Sequence, residues 1–61
     1  MSKQELLRRA AELIGIDELA ARLGSPQHLI EAWMKAQATM PDRKLVKLAD
    51  ILADVAERRG R

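Results

Sequence analysis

The stretch that decides the fold of this 61-residue chain spans residues 16–35 and reads Ile16-Asp-Glu-Leu-Ala-Ala-Arg-Leu-Gly-Ser-Pro-Gln-His-Leu-Ile-Glu-Ala-Trp-Met-Lys35. Its first half carries Leu19, Ala20 and Leu23 at helical spacing, and Gly24 is typical of a helix end because glycine tolerates a positive φ. Ser25 and Pro26 then indicate a second helix, with serine as its N-cap and proline at its first position. The stretch therefore predicts two short helices joined by a tight turn.

The composition restricts the classes of protein to which the chain can belong. Sixty-one residues suffice for one small domain, to which we assign residues 1–61. Because the chain has no cysteine and a single histidine, His28, it offers neither a disulfide nor a recognisable metal site. No motif supplies a nucleophile with a neighbouring base, so we expect no enzymatic activity, small-molecule substrate or cofactor.

Charge and hydropathy bear on where the chain works. Eleven basic and nine acidic residues leave a formal net charge of +2, which is mildly basic and well short of a nucleic-acid-binding arm. No apolar run approaches the roughly 20 residues that cross a bilayer, and residues 1–5 lack the apolar core of a signal peptide. We therefore expect a cytoplasmic protein with no membrane partner.

The segments on either side of residues 16–35 are also helical in pattern. Ser2 and Glu5 have the spacing of a capping box at the start of an amphipathic segment. Met40 precedes Pro41, which disfavours a helical conformation there and predicts a loop before the last helix. The resulting prediction is a compact all-α domain of four helices, with bounds of about 3–14, 16–23, 26–37 and 42–59.

The register of several residues resembles a known family. The run Asp-Glu-Leu-Ala-Ala-Arg-Leu-Gly, residues 17–24, is followed by Ile30, Trp33, Pro41 and the segment Lys-Leu-Ala at 47–49. This pattern is similar to the Cro and lambda-repressor-like (XRE-type) helix-turn-helix family over roughly residues 13–53. The resemblance implies a bundle of four or five helices whose third helix lies in the major groove of double-stranded DNA.

The resemblance also implies a function and roles for individual residues. It suggests a small, sequence-specific transcriptional regulator, repressor-like and of the bacterial or phage type, which binds DNA as a homodimer. Base readout falls to Gln27, His28 and Glu31, since glutamine can pair with adenine and glutamate can accept from cytosine. Contact with DNA phosphates falls to a second set, namely Ser25, Lys35, Arg43 and Lys44.

Two features depart from the family pattern. Ile16 stands where members commonly carry a polar residue, and Ala36-Gln37-Ala38-Thr39 replaces a glycine and a basic run. Residues 16–37 hold two cations against three carboxylates, a net charge of −1. Because phosphate neutralisation supplies most non-specific affinity for DNA, basic residues outside this segment must contribute. The candidates are Lys3, Arg8, Arg9, Arg43, Lys44 and Lys47.

A surplus of apolar residues supports an alternative function. We predict that Trp33 belongs to the core, whereas Leu29, Met34, Ile51 and Val55 are candidates for a dimer or partner surface. These four residues could instead complete a small, alanine-rich core. If they do meet a partner, the chain is a protein–protein interaction module that keeps the helix-turn-helix fold without binding DNA.

Overall fold

The computed structural model describes residues 2–59, so Met1, Gly60 and Arg61 of the predicted domain lie outside the described part. Residues 2–59 form a compact all-α domain without strands. Its four helices are α1 (Lys3–Ile14), α2 (Ile16–Leu23), α3 (Gln27–Met34) and α4 (Asp42–Arg59). The prediction of four helices is confirmed, and the bounds of α1, α2 and α4 agree with it. Those of α3 differ at both ends.

The boundary between α1 and α2 follows from capping. The Ser2 hydroxyl accepts a hydrogen bond from the Glu5 amide at 3.1 Å, as the capping box predicts. Gly15 ends α1 at φ +86°, and its amide donates to the carbonyl of Ala11 at 2.8 Å. A φ of this sign lies outside the helical region and is tolerated by glycine, so this one residue separates the two helices.

The predicted start of α3 is wrong by one residue. Ser25 is not the N-cap: Pro26, with φ −69° and ψ 151°, occupies that position, and no side chain caps the helix. The reason is that Ser25 still belongs to the end of α2. With Gly24 in the left-handed region, the Ser25 amide donates to Ala20 at 3.1 Å and closes that helix.

The predicted end of α3 is also wrong, because the helix stops at Met34 and not at Gln37. Ala36 adopts φ +60°, the one positive φ of a non-glycine residue in the described part of the chain. The amide of Gln37 donates to Ala32 at 2.8 Å, and that of Ala36 donates to Trp33 at 3.2 Å. This is a Schellman motif that uses alanine where glycine is usual.

The helices share one core. Both α3 and α4 pack against α1 and α2, whereas α3 and α4 do not contact each other closely. Trp33, which is 4% exposed, is confirmed as a core residue. The core consists of Leu7, Ala10, Leu19, Leu23, Ile30, Trp33, Met40, Leu48, Ile51 and Val55. Within residues 2–59 no helix has both the length and the apolar character needed to cross a membrane.

The left-handed Ala36 yields a stability prediction. The left-handed conformation destabilises the folded state by roughly 1–2 kcal/mol when the residue carries a Cβ. Glycine removes this strain but lowers stability by roughly 0.4–1 kcal/mol, because it increases the conformational entropy of the unfolded chain. We therefore expect Ala36→Gly to stabilise the domain by about 0.5–1 kcal/mol, measured by thermal or urea unfolding. The matched control is Ala38→Gly in the same loop, where φ is not positive. That variant should be neutral or destabilised, and an equal stabilisation of both variants would contradict the role of strain.

Candidate nucleic-acid interface

The outer face of α3 is polar and open to solvent. Gln27, His28 and Glu31 are all exposed, and Lys35 is exposed directly after the helix. Ile30 and Trp33 are buried on the opposite face. The fold thus brings the three predicted base-reading residues together on one surface. This surface begins directly after the tight turn formed by residues 24–26.

Gln27 is oriented by a hydrogen bond across the turn. Its side-chain amide nitrogen donates to the carboxylate of Asp17 in the first turn of α2. A glutamine amide carries two donor hydrogens and an acceptor oxygen, so one N–H and the carbonyl remain available. These are the two groups that bidentate pairing with adenine requires. The bond therefore restricts the rotamer of Gln27 without removing its capacity to pair.

Ser25, predicted to contact phosphate, is buried. It is 7% exposed, the one polar residue in the buried set of the described chain. Its amide completes the end of α2. The low exposure leaves little of Ser25 for a phosphate to contact, and its assignment to phosphate contact stays a prediction that its burial does not favour.

Lys44, also predicted to contact phosphate, has a structural partner. Its Nζ donates to the carbonyl oxygen of Leu23 at 2.5 Å, at the end of α2. Arg8 acts similarly on α3, since its Nη2 donates to the carbonyl of Met34 at 3.3 Å. Cations are favourable at helix C-termini, where carbonyls lack helical partners. Each of these side chains therefore joins two helices.

Three of the cations considered for phosphate contact remain without an ion pair in the described part of the chain: Lys35, Arg43 and Lys47. All three are exposed. Because Lys44 reaches the end of α2, the first turn of α4 lies beside the turn that precedes α3. Arg43, the neighbour of Lys44 in sequence, therefore belongs to the same end of the molecule as that turn.

One of the two acidic residues of α2, Glu18, forms an ion pair within the fold. Arg22 Nε donates to Glu18 at 3.1 Å, and its Nη1 donates to Asp54 of α4 at 3.3 Å. Arg58 also lies 3.3 Å from Asp54. The hydrogen bond to Glu18, helped by Asp54, raises the pKa of Arg22 above its usual value despite desolvation. Glu18 is thus paired, but Arg22 is already counted in the segment, so residues 16–37 keep a net charge of −1.

The candidates for a partner surface are mostly internal. Ile51 and Val55 are 7% and 8% exposed and belong to the core, although Val55 also lines an apolar groove beside α1. Their assignment to a dimer or partner surface stays a prediction. Leu29 and Met34 are half-buried and pack against the same core. The reading of these residues as core, which the sequence left open, fits their burial. Their positions on wide apolar stripes made both readings possible from sequence.

The structure provides no support for a metal centre. Among residues 2–59, no three His, Asp or Glu side chains cluster as metal ligands would. The absence of cofactors and of enzymatic activity stays a prediction.

The role of Lys44 can be tested by Lys44→Met, which keeps the aliphatic stem and removes the donor. We expect a loss of about 1–2 kcal/mol in the free energy of unfolding, because a carbonyl at a helix end loses a charged partner. Lys47→Met is the control, since Lys47 is exposed and without an ion pair among the described residues, and it should change stability by less than about 0.5 kcal/mol. Equal effects of the two substitutions would refute a stabilising role for the hydrogen bond from Lys44 to the end of α2.

Comparisons with known proteins add no identification: no protein-family model, curated protein sequence or solved structure matches the chain.

Proposed function

We propose that the chain is a small, sequence-specific DNA-binding transcriptional regulator of the Cro and lambda-repressor-like type, which inserts α3 into the major groove as a homodimer. The observation that carries the proposal is the exposed polar face of α3, with Gln27, His28 and Glu31, directly after a tight turn from α2. This arrangement presents hydrogen-bonding groups while the apolar face of α3 packs inward.

In this proposal, Gln27 is the principal reader of a base. The hydrogen bond from its amide nitrogen to Asp17 limits the rotation of the side chain before DNA arrives. A pre-oriented amide loses less conformational freedom on pairing with adenine. Glu31, one turn further along the exposed face, accepts from cytosine, and His28 contributes a further donor or acceptor.

Phosphate contact in this proposal comes from Lys35, Arg43 and Lys47. Ser25 is left out because it is buried, and Lys44 because it donates to the carbonyl of Leu23. These three side chains are exposed and form no ion pair within residues 2–59. A homodimer would bring six such cations to one site. Neutralising six phosphates gives a slope of about −5 in a plot of log affinity against log salt. That electrostatic contribution is moderate, as the small net charge of the chain requires.

The alternative is a protein-interaction module that keeps the fold without binding DNA. Its predicted docking residues Leu29, Met34 and Ile51 are half-buried or buried, which leaves them little area for a partner. An outer face of α3 with a glutamine, a histidine and a glutamate likewise lacks the aromatic, methionine and arginine side chains in which protein interfaces are enriched. We therefore prefer the DNA-binding proposal.

The proposal predicts sequence selection with a defined salt dependence. From a pool of random duplexes, the full chain should enrich a near-palindromic site with half-sites about 34 Å apart. Affinity for that site should fall roughly 10³-fold between 50 and 200 mM salt, which follows from a slope of about −5. Failure to enrich any sequence, together with an affinity that does not change with salt, would refute DNA binding.

Two single substitutions separate readout from phosphate contact. Gln27→Ala should relax the preference at one base position in each half-site, with a loss of roughly 1–3 kcal/mol of discrimination. Arg43→Ala should weaken binding to all sequences alike and reduce the salt slope by about 2 in the dimer, one unit for each protomer. The reverse pattern in repeated selections with the two variants would overturn these assignments.

A further inference from the structure

An apolar groove between α1 and α4 has no role in the proposed readout. It measures about 470 Å³ and opens to solvent. Apolar side chains form most of its lining, and two arginines complete it: Leu6, Leu13, Leu52, Val55, Ala56, Arg9 and Arg59. Arg9 and Arg59 form no ion pair within the described part of the chain. We call this surface the α1–α4 groove.

The apolar surface continues from the groove along α4. Val46 is 63% exposed, the one large hydrophobic residue of the described chain that is so open to solvent. Ala49, Ala53 and Ala56 are also exposed, and their spacing places all four residues on one stripe of the helix. Ala56 belongs to both the stripe and the groove. Contiguous exposed apolar surface of this kind marks an interaction site.

A charged stripe on α1 borders the same groove. Glu5, Arg9 and Glu12 are exposed and lie four and three residues apart, so they share one face of the helix. This spacing favours ion pairs within a helix, yet none forms between them. Together with Arg8 they line a shallow hollow. Arg9 lines both the hollow and the α1–α4 groove, and so marks the boundary between them.

We propose that a second copy of this chain covers the α1–α4 groove, with the two α1 helices antiparallel about a two-fold axis. Antiparallel two-fold symmetry places each flank of a helix against the same flank of its copy. The α1–α4 groove of one protomer therefore faces the same groove of its partner, and the two charged hollows also face each other. With the axis near residues 10 and 11, Arg9 lies opposite Glu12 of the partner subunit, and the contact occurs twice.

The self-complementary charge pattern selects a second copy over an unrelated partner. The stripe alternates in sign, negative at Glu5, positive at Arg9 and negative at Glu12. A reversed copy shifted by three residues, as an axis between residues 10 and 11 requires, therefore places a glutamate opposite Arg9. A stable dimer buries about 800 Å² per subunit, roughly a fifth of the 4118 Å² that the chain exposes. The 12 residues of α1 and 18 residues of α4 make up half of the chain and can supply that area.

This pairing defines the surface of the homodimer in the proposed function without resting on DNA binding. No residue that lines the α1–α4 groove or the charged hollow belongs to α3, so the pairing does not use the outer face of that helix. The test below contains no DNA. A failure of dimerisation and a failure of sequence recognition are therefore separate results.

The test is sedimentation equilibrium of the full chain over a range of concentrations, with charge-swapped variants. The wild-type chain should sediment with the mass of two chains at high concentration. Arg9→Glu and Glu12→Arg should each raise the dissociation constant of the dimer roughly tenfold, because like charges would meet across the axis twice. The double variant R9E/E12R restores the opposite pairing and should return the dissociation constant to within about threefold of wild type.

Two further variants test whether the effect on dimerisation is specific to the α1–α4 groove. Ala56→Lys introduces a charge into the groove from an exposed position and should also favour the monomer, whereas Arg43→Glu at the start of α4 should leave dimerisation unchanged. Circular dichroism verifies that each variant folds. A wild-type chain that stays monomeric at roughly millimolar concentration would overturn the proposal. Dimerisation unaffected by Arg9→Glu, or not recovered in the double variant, would overturn the pairing of Arg9 with Glu12.

Discussion

The carbonyl groups at the end of α2 impose the constraint on which the rest of the structure depends. An α-helix leaves its last carbonyls without partners, and here the chain must reverse within three residues. Gly24, at φ +65°, makes this possible: its own amide donates to Ala21, and the Ser25 amide donates to Ala20. The carbonyl of Leu23, the last residue of the helix, accepts from Lys44 of α4. One turn therefore fixes the positions of α2, α3 and the start of α4 together.

The dependence is strong because α2 and α3 have eight residues each. Helices of this length are not stable alone in water, so tertiary contacts must hold them. Leu19 and Leu23 anchor α2 in the core, while Ile30 and Trp33 anchor α3. The longer α1 contributes more than apolar surface, because Arg8 reaches the end of α3.

How far the sequence predicts this structure depends on whether the deciding interaction is local. The bounds of α1, α2 and α4 follow from periodicity and capping, which are local. At Ser25 two local rules compete, and the closure of α2 prevails over the capping of α3. The function of Lys44 escapes prediction because its partner, Leu23, lies 21 residues away. Nor can a wide apolar stripe separate core from interface, which is why Ile51 was a candidate for both.

The separation of α3 into two faces has an evolutionary consequence. The buried face carries the packing, whereas His28 and Glu31 are exposed and have no partner within residues 2–59. Substitutions at exposed positions of this kind usually change stability by less than about 0.5 kcal/mol. The outer face can therefore vary among descendants of this chain at almost no thermodynamic cost. Gln27 is the exception, since a change there also releases Asp17 and loosens the turn from which α3 begins.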